Sequence, residues 1–228
     1  MKKLLRDQVR AVAAVTKRRL FATDILLDHF SASSVRGFLL LAMAFLPLRA
    51  FCQDDAAYVK VATERSEKIV KNLGITDSVQ YRQVLNEIVH QYVNLKAVHA
   101  QYEAKENNGR AAALSTLHQQ FIKGLRQHLN DRQLEQVKDG MTYSVLPKTY
   151  TAFQEMIPAL TAKQKERIYT WLVEARELAM DEGSSDDKHK MFGKYKGRIN
   201  NYLSAEGYDL KKETAAWQQR IKEQQNKK

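Results

Sequence analysis

Between Leu160 and Leu203 an apolar residue recurs at helical spacing, the pattern breaks once, and it then resumes. Ile168, Trp171, Leu172, Ala175, Leu178 and Ala179 fall on one face of a first helix. Gly183-Ser184-Ser185 turns the chain. Phe192, Tyr195, Ile199, Tyr202 and Leu203 carry the same period through a second helix, despite Gly193 and Gly197. Two amphipathic helices joined by a short turn must bury their apolar stripes against further helices. The 228 residues include only 9 Gly and 3 Pro, too few breakers for a many-turned β protein. Hydrophobic residues make up 44% and charged residues 28%, which suits a folded core rather than disorder. The expected fold is all-α: a single helical-bundle-like domain of about seven to eight helices.

The first 52 residues stand apart from that pattern. Residues 38–48 (FLLLAMAFLPL) form an apolar run preceded by Arg36 and followed by Ala50, Cys52 and the polar Gln53-Asp54-Asp55. This is the layout of a secretory signal peptide, with cleavage expected after Cys52. The run is shorter than the roughly 20 apolar residues a stable membrane span requires. Acylation of Cys52 is the lesser alternative, because Arg49 and Phe51 occupy positions where a lipoprotein signal takes aliphatic and small residues. The basic region before the run is long, and initiation at Val35 would give a compact leader. Residues 1–52 are thus read as leader and 53–228 as the helical domain, destined for the periplasm or secretion.

Removing the leader takes away nine basic and three acidic residues, and the net charge falls from +11 to +5. So small an excess does not point to nucleic acid. The domain also lacks cysteine, which excludes both disulfides and thiol chemistry.

Along the domain, Val59 to Leu73 reads as a helix closed by Gly74, and Thr76-Asp77-Ser78 caps a long helix to about Glu106. Leu114 to Leu125 supplies the next. Asn130…Gln133 and Thr161…Gln164 are two capping boxes, in which cap and Gln satisfy each other's backbone amides. Between them Asp139 to Pro147 breaks the period and is expected to be a loop or short extended piece, followed by a short helix from about Thr149 to Met156. Asp209 caps a last helix carrying Leu210, Thr214, Trp217 and Ile221 inward.

No constellation announces a reaction. The His residues never fall at i, i+4, and Glu87…His90 is half of a di-iron motif without its second copy, so no metal is assigned. Glu174, Glu177 and Asp181 lie opposite the apolar stripe and read as a solvated face. Serine-nucleophile motifs and phosphate-cradling loops are absent, and no catalytic residue or cofactor is assigned. The densest feature is Lys188 to Arg198, five Lys/Arg in eleven residues with aromatics and two glycines between them. One reading is an exposed helix with local ion pairing. The other is a site for an anionic or polyhydroxylated ligand lying along a face smoothed by Gly193 and Gly197. Its residues would be Lys188, His189, Lys196, Arg198, Asn200 and Asn201, with Tyr195 or Tyr143 as a flat surface. Trp171, being on the stripe, is expected in the core.

DGMTYSVLPKTY (Asp139–Tyr150), the LTxxQ start at Leu160, WLVEARELAMDEGSS (Trp171–Ser185) and KHKMFGKYKGRINNYLSAEGYDL (Lys188–Leu210) carry a resemblance. They are similar to a group of exported Gram-negative proteins catalogued as domain-of-unknown-function family number 3826 and described as sugar-binding. The resemblance spans Gln53 to Arg220. It implies an all-helical exported protein that binds a glycan in polysaccharide utilisation, and it transfers no catalytic residue. LTxxQ helix starts also resemble those of small periplasmic stress chaperones, which is the alternative function. A glycan-active enzyme is a further one.

Overall fold

The computed structural model describes residues 46–103 and 109–226, with eight helices and no strand among them. They are α1 (Leu46–Lys71), α2 (Ser78–Glu103), α3 (Arg110–Arg126), α4 (Asp131–Met141), α5 (Val145–Met156), α6 (Ala162–Met180), α7 (Ser185–Ala205) and α8 (Leu210–Asn226). The all-α expectation holds. The chain divides into two units, residues 1–61 and 62–228. Of the first, only the opening of α1 is described; the rest of α1 and the other seven helices belong to the second. The apolar run of residues 38–48 lies outside the described residues except for its last three. Among the described residues no helix is long and apolar enough to cross a membrane.

Local chemistry sets the helix ends. Asn130 Oδ1 accepts from the Gln133 amide at 2.9 Å, and Thr161 Oγ1 accepts from the Gln164 amide at 3.3 Å. In return Gln133 Oε1 accepts from the Asn130 amide and Gln164 Oε1 from the Thr161 amide, completing both boxes. Each glutamine also reaches a second element. Gln133 Nε2 donates to the Leu73 carbonyl at 3.0 Å, tying the start of α4 to the end of α1. Gln164 Nε2 donates to Glu206 at 2.9 Å, and its Oε1 accepts from the Tyr208 hydroxyl at 3.0 Å, tying α6 to the end of α7. Ser184 caps α7, whose first turn carries Asp186 and Asp187 where the helix dipole favours anions. Asp209 accepts from the amides of Lys211 and Lys212 at the start of α8.

The main apolar cluster joins α5, α6 and α7: Phe153, Ile168, Leu172, Phe192, Ile199 and Leu203 are at its heart. The stripe of α7 is deeply buried, and it includes two residues expected at a ligand, Lys188 and Tyr195. Trp171 departs from its expected core position. It sits half-buried at the edge of the cluster, edge-on to Tyr202 at 5.4 Å, with the Arg198 guanidinium 4.4 Å over its ring.

The expected loop from Asp139 to Pro147 shrinks to Thr142-Tyr143-Ser144, for α4 continues to Met141 and α5 begins at Val145. Pro147 falls in the first turn of α5, where a missing N–H leaves no helical bond unmade. Gly140 is retained inside α4 because α1 comes close: a Cβ there would stand 2.9 Å from Ile69 Cγ1. The connection is so short that Tyr143 and Ser144 both take left-handed backbone, φ 59° and 54°. Two such consecutive non-glycine residues are costly, about 1–3 kcal/mol each. The Ser144 amide bonds the Asp139 carbonyl at 2.7 Å, and the buried Thr142 hydroxyl bonds the Lys138 carbonyl at 2.8 Å.

Candidate functional site

Two polar regions border the α6–α7 hairpin. The first is an ionic seam. Arg176 follows Leu172 by four residues, so it falls at the edge of the apolar stripe and is only 2% exposed. Its guanidinium bonds Glu135, Asp139 Oδ1 at 2.8 Å and Glu177 Oε1 at 3.1 Å. Lys138 bridges to Glu177 at 3.0 Å and to Glu135 at 3.3 Å. From α3, His118 directs Nδ1 at the Asp181 carboxylate, 3.0 Å away, and Nε2 at Glu177, 3.5 Å away. Beside them Arg110 donates to His99 Nδ1 at 2.7 Å, leaving His99 Nε2–H to donate to the Asp181 carbonyl at 2.7 Å.

The seam corrects the expectation of a solvated acidic face: Glu177 and Asp181 are partly buried and fully engaged. Hydrogen bonds to Asp181, then to Glu177, raise the His118 pKa to about 9 against the opposing effect of burial. Burial alone would raise Glu177, yet bonds from His118 and Lys138 hold it down at about 2. At neutral pH both groups are therefore fixed in their charged forms. A general acid or base needs a pKa near the working pH, and neither has one. Among the described residues no group of three or more His, Cys, Asp or Glu is placed to hold a metal.

The second region is the exposed face of α7. His189, Gly193, Lys196 and Asn200 succeed one another at spacings of four, three and four, with Gly197 alongside, so they share one side of the helix. Among the described residues a Cβ on Gly193 or Gly197 would meet no atom within 4 Å, so none of the eight helices lies against the smooth face. At its N-terminal end His189 stacks on Tyr143 with ring centroids 5.4 Å apart. Lys148 Nζ donates to the Tyr143 carbonyl at 3.1 Å and helps hold the strained turn that presents this ring, 41% exposed. At the other end Lys196 and Asn200 enter a groove of about 370 Å³ between α5, α7 and α8, with Lys148, Thr149 and Trp217 on its walls. The side chains of Lys196 and Asn200 have no hydrogen-bond or ion-pair partner among the described residues.

The residues proposed from sequence therefore separate. Tyr143, His189, Lys196 and Asn200 share one surface. Lys188 is buried, and its Nζ caps the end of α6 by donating to the Ala179 and Met180 carbonyls at 3.1 and 3.0 Å. Burial pulls its pKa down to about 8. Tyr195 is buried too, its pKa raised to about 12 by burial and then by Glu174. Arg198 lies over Trp171 and pairs with Glu174 at 3.5 Å on the opposite flank. Asn201 is exposed beside the shared face and lines no groove described. Sequence reasoning missed Trp217, Lys148 and Thr149, which come from other helices. It also missed Arg176, whose signal was a basic residue on an apolar stripe.

No curated protein matches the chain. Residues 59–111 and 103–223 match the family described as "Protein of unknown function (DUF3826)", and over that span, most of its length, the chain belongs to this family.

Proposed function

We propose that the chain is an exported glycan-binding protein and that its ligand lies along the open face of α7, from the Tyr143–His189 stack to Trp217. One observation carries the reading: an aromatic surface at each end, and between them Lys196 and Asn200, whose side chains have no partner among the described residues, beside glycines with open space above them. A pyranose offers one apolar face and a rim of hydroxyls. Aromatic rings suit the first, and ammonium and amide groups the second. From His189 to Asn200 the face runs roughly 16 Å at about 1.5 Å per residue, longer than a single sugar ring, so an oligosaccharide fits it better than a monosaccharide. Export is supported by the order of basic, apolar and small residues through Cys52.

The test is affinity electrophoresis through gels containing different polysaccharides, followed by titration with oligosaccharides of the one that retards the protein. Lys196→Ala with Asn200→Ala should keep the helical spectrum and weaken binding by about tenfold or more. Trp217→Ala should weaken it likewise, and Trp217→Phe much less. Retardation by no polysaccharide, or full binding by the double variant, would refute the reading.

A further inference from the structure

On the other side of Tyr143 lies a cavity of about 630 Å³ between α1, α2, α4 and the strained turn. Its wall from α1 is built by spacing: Arg65, Lys68 and Ile69 follow at i, i+3 and i+4 on one stripe of the helix, and Asn72 continues that line one residue past its end. Ile69 is buried against Gly140, while the other three are exposed. Gln136, Asp139 and Gly140 face them from α4 at the same spacing, and Ser144 closes the end.

The side chains of Arg65, Lys68, Asn72 and Gln136 have no hydrogen-bond or ion-pair partner among the described residues. Asp139, the carboxylate bordering the cavity, is already held by Arg176 at 2.8 Å. Among the described residues, the cavity therefore has two unneutralised cations, two free side-chain amides and a hydroxyl, with its one acid occupied. This donor-rich set suits an oxyanion. Tyr143 borders the cavity and also stacks on His189 at the start of the α7 face.

We propose that this cavity is an anion subsite that takes the carboxylate or sulfate ester of an acidic oligosaccharide, whose next ring lies on Tyr143 and whose remainder follows α7. Its ligand class rests on the glycan reading above. The cations supply the charge-assisted bonds, and the strained turn holds the aromatic ring at the boundary of the two sites.

The experiment has two arms on the full helical domain. In the first, uronate oligosaccharides, sulfated oligosaccharides and the methyl-esterified uronates are compared by titration calorimetry. Wild type should bind one acidic class at least tenfold more tightly than its neutral ester, and Arg65→Ala with Lys68→Ala should abolish that preference. Both residues are exposed, so the fold should survive, and circular dichroism checks it. Which acid wins separates carboxylate from sulfate. In the second arm, inorganic sulfate is titrated while the amide resonances of Gly140 and Ser144 are followed. Shifts lost in the double variant would support the subsite even if no oligosaccharide binds, in which case the α7 reading alone fails. Equal binding of acid and ester, or a preference and sulfate shifts that survive in the double variant, would overturn the subsite. So would the absence of any sulfate shift together with no acidic preference.

Discussion

The seam around α6 and the open face of α7 are similar in composition and opposite in construction. Both concentrate charged and polar side chains along one helix. In the seam, Arg176, Glu177, His118 and Asp181 neutralise one another in partly buried positions, so the charges serve to join α3, α4 and α6. On α7, Lys196 and Asn200 point into a groove with no partner among the described residues. A satisfied network rigidifies, whereas unsatisfied donors beside an aromatic are available to something else. Charge density alone did not distinguish the two. Whether each charge already has a partner does.

Breaking the seam should give the largest effect. Arg176→Ala leaves Glu135, Asp139 and Glu177 clustered without their shared cation. Loss of one partner of a buried pair typically costs about 3–5 kcal/mol, and the low end applies because those carboxylates keep some contact with water. Chemical denaturation should show that loss. The proposed glycan binding, measured at a temperature that keeps the fold, should weaken too, because the Asp139 carbonyl holds the Tyr143–Ser144 turn. A loss under about 1 kcal/mol would mean that the seam does not hold the helices together.

Two groups packed against α6, His118 of the seam and the buried Lys188, should also respond to pH with opposite sign. His118 has its pKa raised from 6.5 to about 9, so folding takes up protons there. Its stabilisation is complete below 6.5 and is lost as pH rises through about 9, an effect on the order of 2 kcal/mol after allowance for solvent. Lys188 is lowered from 10.5 to about 8, so the unfolded chain binds more protons in that interval and stability rises with pH from about 8 to 10.5. Stability should thus fall above pH 6.5 and turn upward again in the alkaline range. Denaturation midpoints across pH should lose the fall in His118→Gln and the upturn in Lys188→Met. A single monotonic curve unaffected by either change would contradict both assignments.

Much of the fold was legible because it rests on local rules. Apolar period, two capping boxes, Gly74 with φ +67° and the Asp209 cap all act within a few residues, and each appears where the sequence placed it. The Asp139–Pro147 segment was misread because its apolar period lapses across Gly140 and Pro147. Their tolerance depends on α1 lying close to Gly140 and on Pro147 falling in a first turn, both facts of packing. The site was half legible for a similar reason. The α7 residues could be named from a single helix; Tyr195 was already on its stripe and was still offered to a ligand, and extending the period back four residues from Phe192 would have put Lys188 there too. Trp217, Lys148, Arg65 and Lys68 reach the proposed sites from distant parts of the chain, and no local pattern links them.

The smallest effects should come from one substitution made in both regions. In Gly140→Ala the new methyl would stand 2.9 Å from Ile69 Cγ1, and buried Ile69 is branched and confined. The gain in helix propensity, about 1 kcal/mol, should be outweighed by overpacking of about 1–3 kcal/mol, leaving the domain slightly less stable. In Gly193→Ala and Gly197→Ala the methyl enters open space, so only the propensity gain remains and each variant should be more stable by about 1 kcal/mol. Thermal denaturation reads all three signs. The same methyls on α7 would stand where a sugar ring is proposed to pass, so binding should weaken as stability rises. Variants at Gly193 and Gly197 that gain stability and bind the glycan undiminished would leave helix-destabilising glycines on an open face without a ligand to explain them. The proposed path along α7 would then have to be abandoned in favour of the groove at Trp217 alone.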